Sequence, residues 1–159
     1  MKTVSTITIA AALVLTGCGA RTDSQVATTT EMGTTESGPA MRSWESAIVA
    51  NPGFGLAGEA SIRDLDDGQT RIALEIRGAE EGATLPWHVH TGDCVTGGGI
   101  VGDPSAYSPL TVNADGEASA NATIDVTLDP DPDADYHINV HKSPSETETI
   151  VACGELQEN

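Results

Sequence analysis

Thr70-Arg71-Ile72-Ala73-Leu74-Glu75-Ile76 alternates strictly, with Ile72, Leu74 and Ile76 on one side and Arg71, Ala73 and Glu75 on the other. A period of two belongs to an extended chain, whose successive side chains point to opposite faces. The stretch therefore predicts a β-strand with one face in a core and the other in solvent. Asp66-Asp67-Gly68 comes just before it and supplies a turn, and Leu56–Leu65 alternates imperfectly before that turn. Two such runs around Asp-Asp-Gly predict a β-hairpin.

The same signals recur outward in both directions. Ser46–Val49 is short and apolar, and Trp87–His90 leads into a long Gly-rich loop, Gly92–Ser108. Leu110–Val112 and Ala118–Ile124 flank Asn113-Ala114-Asp115-Gly116 and predict a second hairpin. After the Pro- and Asp-dense turn Asp129–Asp135 come Tyr136–Val140 and Ile150–Cys153. About seven or eight short strands with no helical period predict an all-β sandwich or barrel. A loop as long as Gly92–Ser108 in a compact domain points to function rather than mere connection.

Composition agrees with short strands. The chain has 159 residues, 38% hydrophobic and only 3% aromatic, with 17 glycines and 8 prolines. That length implies one domain with appendages, a modest aliphatic core and many turns.

Residues 1–18 read as an export leader: Lys2 is basic, Ile7–Leu15 is apolar but too short to span a bilayer, and the stretch ends Leu15-Thr16-Gly17-Cys18. That ending resembles a bacterial lipobox, which implies lipidation of Cys18 and a protein held in the cell envelope, on a periplasmic or outer surface. Gly19 carries no aspartate retention signal and so favours the outer membrane where one exists. Residues 19–43, rich in Thr, Ser, Gly and Glu, predict a flexible tether, and residues 44–159 the folded domain. With Cys18 lipidated, Cys94 and Cys153 remain. An oxidising compartment favours their pairing, the alternative being two buried free thiols. A bridge there would tie the loop after His90 to the last strand and restrain it.

Seven basic against 24 acidic residues leave a formal charge of −17. This excludes nucleic acid as a partner, and it excludes electrostatic docking on anionic lipid, leaving the lipid anchor as the membrane contact.

The four histidines carry the chemistry. His88 and His90 lie at i and i+2, so a strand projects both to one face as a two-point chelate for copper or zinc. In Tyr136-His137-Ile138-Asn139-Val140-His141, the two histidines and Asn139 share the face opposite Ile138 and Val140. Either His137 or His141 can complete a three-histidine set, but about 13 Å of strand between them prevents both from doing so. His137 reads as a surface histidine.

Several of these stretches, in this order, resemble the copper,zinc superoxide dismutase family. Gly78-Ala79-Glu80-Glu81-Gly82 followed by Pro86-Trp87-His88-Val89-His90 resembles its glycine-bracketed turn and copper-binding His-x-His. Asn139-Val140-His141-Lys142 resembles its late copper-ligand strand, Ala152-Cys153-Gly154 its C-terminal half-disulfide, and Leu110–Ile124 the hairpin between metal loop and later strands. The resemblance covers roughly residues 44–157. It implies a Greek-key β-sandwich or barrel of about eight antiparallel strands. It also implies His88, His90 and His141 as copper ligands, a Cys94–Cys153 disulfide, and an oxidoreductase acting on superoxide.

The departures are specific. No histidine occurs in residues 91–136, so the family's bridging ligand and its histidine zinc ligands are missing, which implies copper without zinc. Asp93 and Asp103 in the loop read as solvated carboxylates rather than ligands. Ile150 stands where the family places an arginine beside copper, and Lys142 is the nearest cation in sequence to His141. Exported chordin-type repeats carry a similar His-Val-His and Asn-Val-His pattern. Binding or buffering of the copper ion, or a purely structural role, therefore stand as alternatives to superoxide turnover.

Overall fold

In the computed structural model the described residues are 41–129 and 134–159. The expected leader with Cys18, most of the expected tether and the centre of the Pro/Asp turn lie outside them.

Among the described residues ten strands follow one another: β1 (Ser43–Ala50), β2 (Ala57–Asp64), β3 (Thr70–Arg77), β4 (Thr84–Leu85), β5 (Trp87–Thr91), β6 (Leu110–Thr111), β7 (Ala118–Ile124), β8 (Tyr136–His141), β9 (Ile150–Glu155) and β10 (Gln157–Glu158). The main sheet has the order β5-β8-β9-β1-β2-β3-β7, all antiparallel, with β10 added beside β1 and the short β4–β6 ladder separate. This sheet curls into a half-barrel. Twice the chain crosses from one end of the strand order to the other, between β3 and β5 and between β7 and β8. Such long returns give the Greek-key connectivity of an all-β sandwich.

The alternation of Thr70–Ile76 has its expected consequence. Ile72, Leu74 and Ile76 are buried while Arg71 and Glu75 are exposed. They join Trp44, Ile48, Ile62, Ala122 and Ile124 of the neighbouring strands β1, β2 and β7, together with Trp87, Val89, Ile138 and Val140 of β5 and β8, in one apolar cluster. The β2–β3 hairpin runs in continuous register from Ala57↔Arg77 to Asp64↔Thr70. Its turn closes through Gly68 N–H to Leu65 O (3.3 Å), at the positive φ of 81° that glycine adopts without a Cβ penalty.

Two expectations change. The turn Asn113–Gly116 forms, with the Asn113 side chain accepting from the Asp115 and Glu117 amides at 2.9 and 3.0 Å. The strand before it, however, does not pair across it. β6 pairs with β4, and Val112 exchanges backbone bonds with Gly82 and Ala83, so its ladder groups are already satisfied before β7 begins. β7 pairs with β3 instead. The domain also starts earlier than residue 44. Ser43 is in β1, and Arg42 makes a two-point ion pair with Glu158 at 2.7 Å for both contacts.

Candidate metal centre

β5 and β8 are neighbours, with His88 opposite Asn139 and His90 opposite His137. Their inward residues, Trp87, Val89, Ile138 and Val140, are essentially without exposure. The histidines therefore stand on the outer face. β9 carries one extra residue opposite the Val140/His141 step, pairing Val140 with Ala152 and His141 with Ile150. His141 instead continues the regular β5–β8 ladder, its amide bonded to Pro86 O at 2.8 Å, and alternation with inward Val140 sets its ring on the same outer face.

His88, His90 and His141 converge. One ligand-type atom from each lies within 4.8 Å of the others, and His88 Nδ1 and His141 Nε2 are 3.3 Å apart. A metal held by imidazoles at about 2.0–2.1 Å needs nitrogen separations of roughly 3–4 Å, so small ring rotations close the set. His90 donates from Nδ1 to Gly98 O at 3.0 Å, which fixes its tautomer and leaves Nε2 bare. That Nε2 is buried without a hydrogen-bond partner, an arrangement that costs free energy unless a ligand takes the lone pair. On this observation the residues fit a metal ion, with the Gly98 carbonyl as the orienting partner behind the ligand.

Burial keeps the cluster uncharged. His88 is pushed down to about 4, first by desolvation and then by the neighbouring His141 and His90. His90 is lowered by burial despite the bond to Gly98. His141 is also lowered by burial, with the Thr147 backbone and Glu148 acting in the opposite sense and Nδ1 lacking a partner at hydrogen-bonding geometry. Neutral imidazole is the metal-binding form, so the site is ready for a cation at neutral pH.

His137 is not a surface histidine. It is fully buried, stacked on His90 with ring centroids 5.3 Å apart, donating from Nδ1 to Gly92 O (2.8 Å) and accepting at Nε2 from Asn139 Nδ2 (3.2 Å). Both nitrogens are used, and the ring acts as a spacer beneath His90. The surface expectation failed because the outer face of β8 is covered by the loop after β5, which a two-residue period cannot reveal.

That loop is pinned along its length. Ile100 bridges to His90, and backbone bonds join Thr91 to Gly99 and Val101 to Val89. The cover also satisfies the open edge of β5. Gly98 sits against the Thr91 backbone where a Cβ would collide. Cys94 and Cys153 form a disulfide with Cα atoms 6.0 Å apart, joining the loop to β9. Asp93 accepts from the Thr96 and Val95 amides at 2.6 and 2.8 Å, and Asp103 caps the short 3-10 turn Pro104–Ala106. These bonds to Thr96 and Ser105 hold both carboxyls below their ordinary range, and both carboxylates shape the loop.

Tyr107 was missed in the sequence. It packs edge-on to Trp87 and His88 at 5.1 and 5.3 Å, and its hydroxyl donates to Val101 O at 2.7 Å. Burial pushes its phenol up to about 12, so it stays a donor. The run Gly97-Gly98-Gly99 was the available signal for a close backbone approach behind His90; nothing comparable marked Tyr107.

Around His141 the charge is negative. Lys142 is held by Glu146 at 2.8 Å, Ile150 is half-buried, and Glu148 acts on the imidazole. Fold and site together define an all-β Greek-key sandwich with a three-histidine group that could hold a metal ion. No protein-family model matches the chain, and no curated protein matches it.

Proposed function

We propose that the chain is an exported, lipid-anchored, superoxide dismutase-like protein that binds one copper ion through His88, His90 and His141 and turns over superoxide there. The observation that carries the reading is the convergence of three neutral imidazoles, with His90 Nε2 buried and without a hydrogen-bond partner. Imidazole sets with a remaining open position suit copper, and the sequence resemblance to the dismutase family points to the same three residues. When bound, copper would supply the redox step, oxidising one superoxide to oxygen and reducing the next to hydrogen peroxide. The protein's part is positional: Gly98 orients His90, Tyr107, itself packed on Trp87, braces His88, and the Cys94–Cys153 bridge limits loop motion.

A second reading, copper holding without turnover, is favoured by one observation. Lys142 is paired with Glu146, and Ile150 stands where the resemblance would place an arginine, so among the described residues no free cation beside His141 steers an anion inward. The test is copper titration of the purified chain, followed by an EPR spectrum and a dismutase rate. The expected result is one copper per chain with nitrogen hyperfine coupling. His141→Ala should weaken copper binding by more than about 100-fold, and His137→Gln should keep the one-to-one stoichiometry. Tight copper with no superoxide turnover above that of His141→Ala selects the second reading, and absence of stoichiometric uptake removes both.

A further inference from the structure

Among the described residues, Arg42 and Lys142 are ion-paired, whereas Arg63, Arg71 and Arg77 have no carboxylate within salt-bridge distance. That is unexpected in a chain of charge −17, and all three stand on the exposed face of the β2–β3 hairpin. The ladder places like charges directly opposite each other twice: Glu59↔Glu75 and Arg63↔Arg71. Each such pair is unfavourable within one sheet. Between them lies the small-residue row Ser61↔Ala73, and beyond the arginines comes the turn Asp66-Asp67. Along the hairpin the face therefore reads Arg77, the glutamate pair, a neutral row, the arginine pair, then two aspartates.

This pattern is complementary to its own reverse. We propose that the face is the interface of a homodimer in which a second copy stacks its β2–β3 hairpin antiparallel on the first. The two-fold axis lies in the plane between the sheets and runs across the strands along the Ser61–Ala73 row. Glu59 then meets the second copy's Arg63, Glu75 meets its Arg71, both contacts repeat by symmetry, and Arg77 falls at the Asp66-Asp67 turn. An axis along the strands would instead set Glu59 against Glu75 and Arg63 against Arg71, so the charges select one orientation. Isologous contacts of this kind close at two copies.

The relief of the face suits the arrangement. Two shallow hollows share Ser61 and Ala73, one lined by Glu59 and Glu75 and the other by Arg63 and Arg71. Small central side chains let the sheets approach, and each arginine pair can enter the opposing glutamate hollow. Glu45, opposite Ser61 on β1, also lines both hollows and faces its own image across the axis, a like-charge contact that counts against the dimer. The contact, about 20 by 25 Å from strand spacing and rise, is smaller than the roughly 800 Å² per partner of a standard interface. The dimer is accordingly weak and concentration-dependent. It uses neither β5 nor β8 and does not depend on copper.

Sedimentation velocity of the full chain at about 0.15 M salt, where the Debye length is about 8 Å and net repulsion between copies is screened, tests the proposal. The unaltered chain should show a concentration-dependent monomer–dimer equilibrium. R63E/R71E and E59R/E75R should each be monomeric, because each gives both cross-strand charge pairs the same sign. Their equimolar mixture should form a heterodimer, and the four-fold swap E59R/E75R/R63E/R71E should regain the homodimer. Circular dichroism checks that each variant is folded. A variant that fails to fold leaves the unaltered chain as the decisive sample. If that chain stays monomeric up to about 100 μM, well above the dissociation constants of specific interfaces, the proposal is wrong. Capture of anionic vesicles or polyphosphate through Arg63 and Arg71 by a monomeric chain would also overturn it, assigning the face to an anionic ligand instead. Dimerisation insensitive to R63E/R71E would exclude this face.

Discussion

The wall formed by β1, β2, β3 and β7 and the ledge formed by β5 and β8 are built from the same kind of alternating strand, yet they bury it differently. On β3 every second residue is buried and the rest face water. On β8 five consecutive residues from His137 to His141 are buried, although three of them are polar. The wall is a two-sided object with one wet face. The ledge lies between the core and a loop held by Cys94, by the backbone around Gly98 and by Tyr107. A polar face becomes a site when something covers it, because desolvation strips the imidazoles of water and leaves lone pairs that a metal can satisfy.

The largest test of this contrast is the disulfide. It closes a 59-residue separation, for which loop-closure entropy gives about 4 kcal/mol. Reduction should lower the urea midpoint accordingly, and amide exchange should quicken in residues 92–101 more than in β2 and β3. Uniform exchange would mean that the bridge stabilises the whole domain rather than the ledge. Leu74→Ala empties a fully buried position in the wall and should cost about 3 kcal/mol, with copper stoichiometry of the folded fraction unchanged. A lost copper signal at full folding would show that wall and ledge are coupled.

Gly98→Ala acts on the ledge alone. Its Cβ would strike the Thr91 backbone and push the carbonyl away from His90, so copper affinity should fall by about tenfold. A competition titration against a copper chelator reads this directly, and an unchanged constant would remove Gly98 from its orienting role.

The smallest effect is on pH. His88 has a folded value near 4 against an ordinary 6.5, so the unfolded chain takes up the proton more readily. The metal-free protein is fully favoured by this group above about pH 6.5 and loses that contribution as pH falls toward about 4. Burial of His90 and His141 acts in the same direction. Thermal melts of the apo chain across that window should decline and should decline less in His88→Gln. Copper loading should persist to about pH 5, because the neutral ligand form survives there.

Much of this was legible locally. Thr70–Ile76, the Asp66-Asp67-Gly68 turn and the spacing of His88 and His90 each express a two-residue period or a turn preference, which neighbouring residues dictate. The meeting of His141 with that pair required knowing that β5 and β8 are adjacent, a long-range pairing for which the sequence offered only a family resemblance. His137 was misread for a related reason. Its own strand shows an outward face, and burial came from a loop some forty residues earlier (Gly92 to Gly98) folding over it. β6 likewise chose β4 over its sequence neighbour β7, because the backbone groups of Val112 were taken by Gly82 and Ala83.

By itself the sequence determined the all-β class, the β2–β3 hairpin and the shared face of His88 and His90, since alternation and turn chemistry act over a few residues. Only the tertiary structure decided which histidine joins that pair and which becomes a buried spacer. Strand adjacency and the cover over β8 are contacts between distant segments, and local period carries no information about them.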